Sequence, residues 1–175
     1  MLSLNNNYIM NNSKKFKLII DVLFVLLCVG FAGLFLNLPT GLRSIGQDNK
    51  DVFDWSFFSW SLFILSLISY ILLIIGIKNL KDAAKIMVSK NHFDISLPKK
   101  LRTTGNFLII SSISSYLVFI LIFIEEFIIE NRLNVYFDNN IFSQIMITIM
   151  GLFFVIQSNV LKLASNFKNE NDLTI

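Results

Sequence analysis

Few residues of this 175-residue chain have the types that do chemistry, and they are carboxylates, lysines and hydroxyls rather than nucleophile–base pairs. Asp21 is the only charged residue of an apolar run from Leu18 to Leu38, about one turn inside it. A carboxylate inside such a run is a candidate for proton or cation handling. So near the edge it can equally bond a helix N-terminus, be neutralised by Lys14, Lys15 or Lys17, or reach water. Glu125, Glu126 and Glu130 place two carboxylates one turn apart if their helix continues, which suits a divalent cation or acid–base work. No third ligand group accompanies them. Cys28 and His92 are each single, which excludes an internal disulfide or thiol pair and leaves nothing to build a tetrahedral zinc site. The P-loop, the dinucleotide glycine motif, G-x-S-x-G and H-E-x-x-H are all absent. The expectation is a noncatalytic protein with no metal and no cofactor, a membrane enzyme using Glu125 and Glu126 being the minor alternative.

The informative polar residues are basic. Lys78, Lys81, Lys85, Lys99, Lys100 and Arg102 crowd a segment from 78 to 104 that holds only Asp82 and Asp94 against them. If a helix continues past residue 77, Lys78, Lys81 and Lys85 share one side and Leu80, Ala84 and Met87 another. Beside a membrane such a stretch attracts anionic lipid at about 1 kcal/mol per cation. It can also dock a cytoplasmic partner. Nucleic acid is not expected, because no aromatic interleaving or recognised nucleic-acid fold accompanies the charge.

The elements that must position these residues are apolar helices. The chain is 54% hydrophobic and 15% charged, where a soluble domain carries about 25% charge. Its apolar runs are far longer than the short alternating segments of a membrane barrel. Four spans follow, at about 18–38, 55–77, 105–124 and 141–163, in an all-α integral membrane four-helix bundle. They are joined to a polar N-terminal segment 1–17, a basic loop 78–104 and a tail 164–175. A cleavable signal peptide is the rival for the first span, but its apolar core would be only about 7 to 15 residues. Pro39 and Gly41 mark a break after it, and Trp55 and Trp60 suit a headgroup layer. Of the fifteen Lys and Arg residues only Arg43, Lys50 and Arg132 fall in the two connections opposite the N-terminus, the 78–104 loop and the tail. The positive-inside rule then puts both termini and the basic loop in the cytoplasm.

Within lipid, helices associate through small residues and interhelical hydrogen bonds. Span two carries Ser59, Ser66, Ser69 and Gly76 on one face, span four carries Gln144, Thr148, Gly151 and Ser158, span three carries Gly105, Ser111, Ser112 and Ser115, and span one carries Gly30 and Gly33. Convergence of the four stripes on the bundle axis is expected. The candidate intramembrane polar residues are therefore Asp21, Gln144, Thr148 and Ser158. The alternative use of the stripes is a polar path, lined by spans two and four, through a small transporter or channel that can form as a dimer. Two similar strings, Leu38 to Gly46 and Leu97 to Gly105, fall on opposite sides of the membrane and cannot be a duplicated hairpin.

The four spans, the loop Asn91-His92-Phe93 leading to Leu101-Arg102-Thr103-Thr104-Gly105, and the ending Glu170-Asn171-Asp172-Leu173-Thr174-Ile175 together resemble one bacterial membrane family, domain of unknown function 2975. His92 departs from the small residue or proline expected before the Phe. The resemblance implies no activity. It does imply a neighbouring small helix-turn-helix regulator similar to the Cro type. The expected partners are therefore the lipid bilayer, a cytoplasmic regulatory protein and a second copy of the chain. The docking set is Lys78, Lys81, Lys85, Lys99, Lys100 and Arg102, with Leu173 and Ile175 presented by a terminal carboxylate tail. The expected location is a bacterial cytoplasmic membrane.

Overall fold

A computed structural model describes the chain over residues 2–36, 57–88, 96–130 and 139–172, with side-chain surroundings over 14–33, 57–58, 60–88, 96–124, 141–168 and 170. Every described residue is helical, in four helices: α1 (Leu2–Leu36), α2 (Phe57–Val88), α3 (Ser96–Glu130) and α4 (Asn139–Asp172). Each contains a stretch long and apolar enough to cross a membrane.

The helices overrun the expected spans. At about 1.5 Å per residue, α3 with its 35 residues is roughly 52 Å long, against about 30 Å of hydrocarbon. No glycine or proline interrupts the chain from Ile77 to Val88. The expected loop at 78–104 is therefore helical over 78–88 and again from Ser96. Pro98 falls in the first turn of α3, where its missing N–H would have had no partner. For the same reason the segment 1–17 is helical from Leu2, and the tail is helical through Asp172. The Pro39–Gly41 break, His92, Leu173 and Ile175 lie outside the described residues, as do the side chains of Glu125, Glu126 and Glu130.

Packing follows chain order: α1 lies on α2, α2 on α3, and α3 on α4, while no other pair makes more than marginal contact. Asp82 meets Lys100 across the second seam, and Ser158 meets Pro98 across the third. The helices thus run up and down, and the first half of α1, residues 78–88 of α2, residues 96–104 of α3 and the end of α4 share one end. The core is concentrated there. Leu80, Ala83 and Ala84 of α2 bury against Leu97 and Leu101 of α3, with Ile20 of α1, and Leu108 and Phe154 extend the cluster towards the middle.

The third seam is the tightest. A Cβ on Gly105 would stand 2.5 Å from the Gly151 carbonyl oxygen, and one on Gly151 would stand 3.0 Å from the Gly105 oxygen. The backbones of α3 and α4 therefore touch, which only glycine at both positions permits. Gly76 makes a looser version on the α2 side, where an added Cβ would reach Leu108 Cδ2 at 3.3 Å. Outside the seams the surface is apolar: Ile64, Ile68 and Ile71 on α2, Ile110, Ile113 and Leu117 on α3, and most of α1 stand exposed.

Gly105→Ala should destabilise the chain by about 1–3 kcal/mol, the usual cost of forcing atoms into a closed contact. An added Cβ on Gly33 meets nothing within 4 Å, so Gly33→Ala should leave the unfolding midpoint unchanged. Denaturation titrations of both variants in detergent check the contrast.

Candidate functional site

The candidate docking residues divide into two groups. Lys81 turns towards α1, its Nζ 3.2 Å from Asp21 Oδ1 and 5.0 Å from the centre of the Phe24 ring. Lys100 turns towards α2, its Nζ 3.0 Å from Asp82 Oδ2. Each lysine thus ties two helices together and has its charge answered within the chain. The other four, Lys78, Lys85, Lys99 and Arg102, are exposed. Among the described residues none of these four makes an ion pair.

Asp21 is therefore neutralised by Lys81 and not by Lys14, Lys15 or Lys17. Lys17, four residues before Asp21, stands on the same side of α1, but the ion pair is made by Lys81, which arrives from the antiparallel partner. The pair is more than a third exposed on both sides, which limits its value to about 0–1 kcal/mol. The ion pair makes Asp21 a link between α1 and α2 at the level of the basic end.

The remaining intramembrane candidates all face α3. Ser158 donates to the Pro98 carbonyl, in the first turn of α3, at 2.6 Å. Thr148 Oγ1 lies 2.9 Å from both Ser112 Oγ and the carbonyl of Gln144, one turn back on its own helix. Gln144 contributes that carbonyl and is itself half-buried. On the other flank Ser69 Oγ donates to the Ser111 carbonyl at 2.8 Å, while Ser111 Oγ donates to the Ser69 carbonyl at 2.9 Å. Ser115 Oγ closes this clasp at 2.6 Å from Ser69 Oγ. Ser66 returns its proton to the Phe63 carbonyl and is exposed.

Convergence of four stripes on one axis is thus not what forms. Ser69 and Gly76 of α2, and Thr148, Gly151 and Ser158 of α4, close against α3, which stands between the two helices. Pattern alone gives the face a helix presents, and leaves open which helix receives it.

The seam between α1 and α2 rests on a residue the stripes do not include. Tyr70 donates to the Leu27 carbonyl at 3.0 Å and stacks on Phe31 with ring centres 5.7 Å apart. Its hydroxyl would meet a Cβ on Gly30 at 2.7 Å. The signal was present, since a tyrosine inside an apolar run needs a partner for its hydroxyl. Thr104 is a second such residue: it is fully buried, and its Oγ1 has no hydrogen-bond partner among the described residues.

Among the described residues no three His, Cys, Asp or Glu side chains come together. Cys28 is exposed on α1. No family model, curated protein or solved structure matches the chain.

Ser69→Ala should cost about 0.6–1.7 kcal/mol, the range for hydrogen bonds between helices in lipid, and Ser66→Ala nothing measurable. Thr104→Val should be neutral or stabilising by up to about 1 kcal/mol, because it removes a buried hydroxyl that bonds nothing at the same volume. Equilibrium unfolding of the three variants reads both effects.

Proposed function

We propose that the chain is a noncatalytic, multi-pass component of a bacterial cytoplasmic membrane, with both termini inside, that presents its basic end to an acidic cytoplasmic partner. One observation carries this reading. The best-buried core lies at the basic end, where α2 continues past Ile77 and α3 begins before Gly105 as packed helices. Inside hydrocarbon, lipid competes equally for apolar side chains, and burial gains little. Beyond it the hydrophobic effect acts in full, and Leu80, Ala83, Ala84, Leu97 and Leu101 bury as they would in a soluble domain. The basic segment is thus a rigid platform, able to hold a docking surface in fixed register at low ordering cost.

The concentration of Lys and Arg at that end supports the inward orientation by the positive-inside rule. Lys81 and Lys100 are spent on Asp21 and Asp82, so the docking charge is carried by the exposed cations and is reinforced by Lys14 and Lys15 at the same end. The segment Glu170 to Ile175 adds the Leu173 and Ile175 side chains as a second feature that a partner protein can capture. The resemblance of that ending and of the 91–105 segment to the family named above favours a small helix-turn-helix regulator as the partner. A transport path remains the second reading, but with α3 between the stripes it has to form between copies.

Crosslinking of an affinity-tagged chain in membranes at native expression should recover a cytoplasmic protein. Deleting residues 170–175 should reduce that recovery at least about five-fold if the tail provides on the order of 1 kcal/mol. Recovery of the chain alone, at normal membrane levels, contradicts the docking reading. Recovery undiminished by the deletion contradicts the role of the tail.

A further inference from the structure

We infer that Lys78, Lys99 and Arg102 form a collar that binds the headgroups of anionic phospholipids in the leaflet at the basic end. The inference rests on the membrane reading and not on the docking one. On α3, Lys99, Arg102, Ile110, Ile113, Leu117 and Ile120 are all exposed and follow one another at helical spacing along a single face, with exposed Asn106 between the charged and apolar parts. On α2 the exposed Ile64, Ile68 and Ile71 continue along the same face to Lys78. The three cations therefore project sideways, directly below the surfaces that would meet lipid tails.

Their height agrees with a headgroup layer. The Asp82–Lys100 bond sets α2 residue 82 level with α3 residue 100, which puts Arg102 level with residue 80 and Lys99 level with residue 83. From Lys78 to Lys99 the collar spans about 8 Å along the helix axes at 1.5 Å per residue. The polar layer on each side of the hydrocarbon is about 5–8 Å thick. Lys85 lies further out, as do Lys14 and Lys15, which the Asp21–Lys81 pair sets beyond that level. The other two cations at collar height, Lys81 and Lys100, have their charge met by Asp21 and Asp82. What is left is three cations on α2 and α3 that no carboxylate among the described residues pairs, with long apolar stems able to reach from the helix to the phosphate plane.

The full-length chain would be reconstituted in phosphatidylcholine vesicles containing a trace of spin-labelled phosphatidylglycerol or spin-labelled phosphatidylcholine, and the protein-restricted fraction of each compared. With each cation near the surface contributing on the order of 1 kcal/mol, a preference of about three-fold or more for phosphatidylglycerol is expected. The triple variant Lys78→Gln, Lys99→Gln, Arg102→Gln should bring the ratio to about one, the lipid charge now being unanswered. The triple variant Lys14→Gln, Lys15→Gln, Lys85→Gln removes the same charge further out and should keep most of the preference. Flotation after an alkaline wash separates the two levels of the account. A chain washed off by alkali overturns the membrane reading and the collar with it. A chain that floats but shows no preference, or loses it equally in both triples, overturns the collar alone.

Discussion

The contact of Gly105 with Gly151 brings two backbones together, and from it the roles of the other helices follow. With α4 fixed that closely on one flank of α3, Ser112 and Thr148 bond one turn further along, and Ser158 reaches the Pro98 carbonyl near the start of α3. On the other flank the Ser69–Ser111 clasp holds α2. Two seams on one helix use Gly76, Gly105 and Gly151 with Ser69, Ser111, Ser112, Ser115, Thr148 and Ser158. They are cohesion, satisfied by one another and by backbone carbonyls, and none is left facing a shared interior. Helix α1 joins from outside through Tyr70, Phe31 and the Asp21–Lys81 pair, a seam with a single tyrosine hydroxyl where α3 has several serines.

This division of labour bears on function. The hydroxyls that bond across the seams hold helices together, while among the described residues the exposed charge gathers at one end. At the basic end two carboxylates select two lysines for internal use and so sort the cations into structural and outward ones. Sequence position does not make that distinction. Lys99 and Lys100 are adjacent, yet Lys100 is drawn to Asp82 while Lys99 is rotated onto the outward face of the same helix.

Much of the fold was legible because hydropathy is a local property. The four apolar runs, their length and the grouping of basic residues are visible residue by residue, and the glycines and serines of the seams stand out by type. Three things were not legible, each for a physical reason. Helix ends were set too short, because a fall in hydropathy at Lys78 or Thr104 does not stop a helix that lacks a glycine or proline to break it. The partner of each stripe was hidden, because a helical repeat fixes a face and not the helix opposite. Pairings such as Asp21 with Lys81 depend on antiparallel register across an intervening connection, which spacing along the chain does not encode. Tyr70 could have been singled out, since its hydroxyl demanded an acceptor, but the acceptor is a backbone carbonyl, and every residue has one.

The central claim is that residues 78–88 and 96–104 form a folded helical platform on the inner side of the membrane. Single cysteines placed along this segment in a Cys28→Ala background, labelled by a membrane-impermeant maleimide in vesicles of either orientation, test it most directly. The account predicts labelling in inside-out vesicles only, strong at Lys78, Lys85, Lys99 and Arg102 and weak at Ala83, Ala84, Leu97 and Leu101, following the exposed and buried faces of two helices. Uniform labelling along the segment would show a loop in place of the platform. Labelling in right-side-out vesicles would put the basic end on the other side and contradict the account.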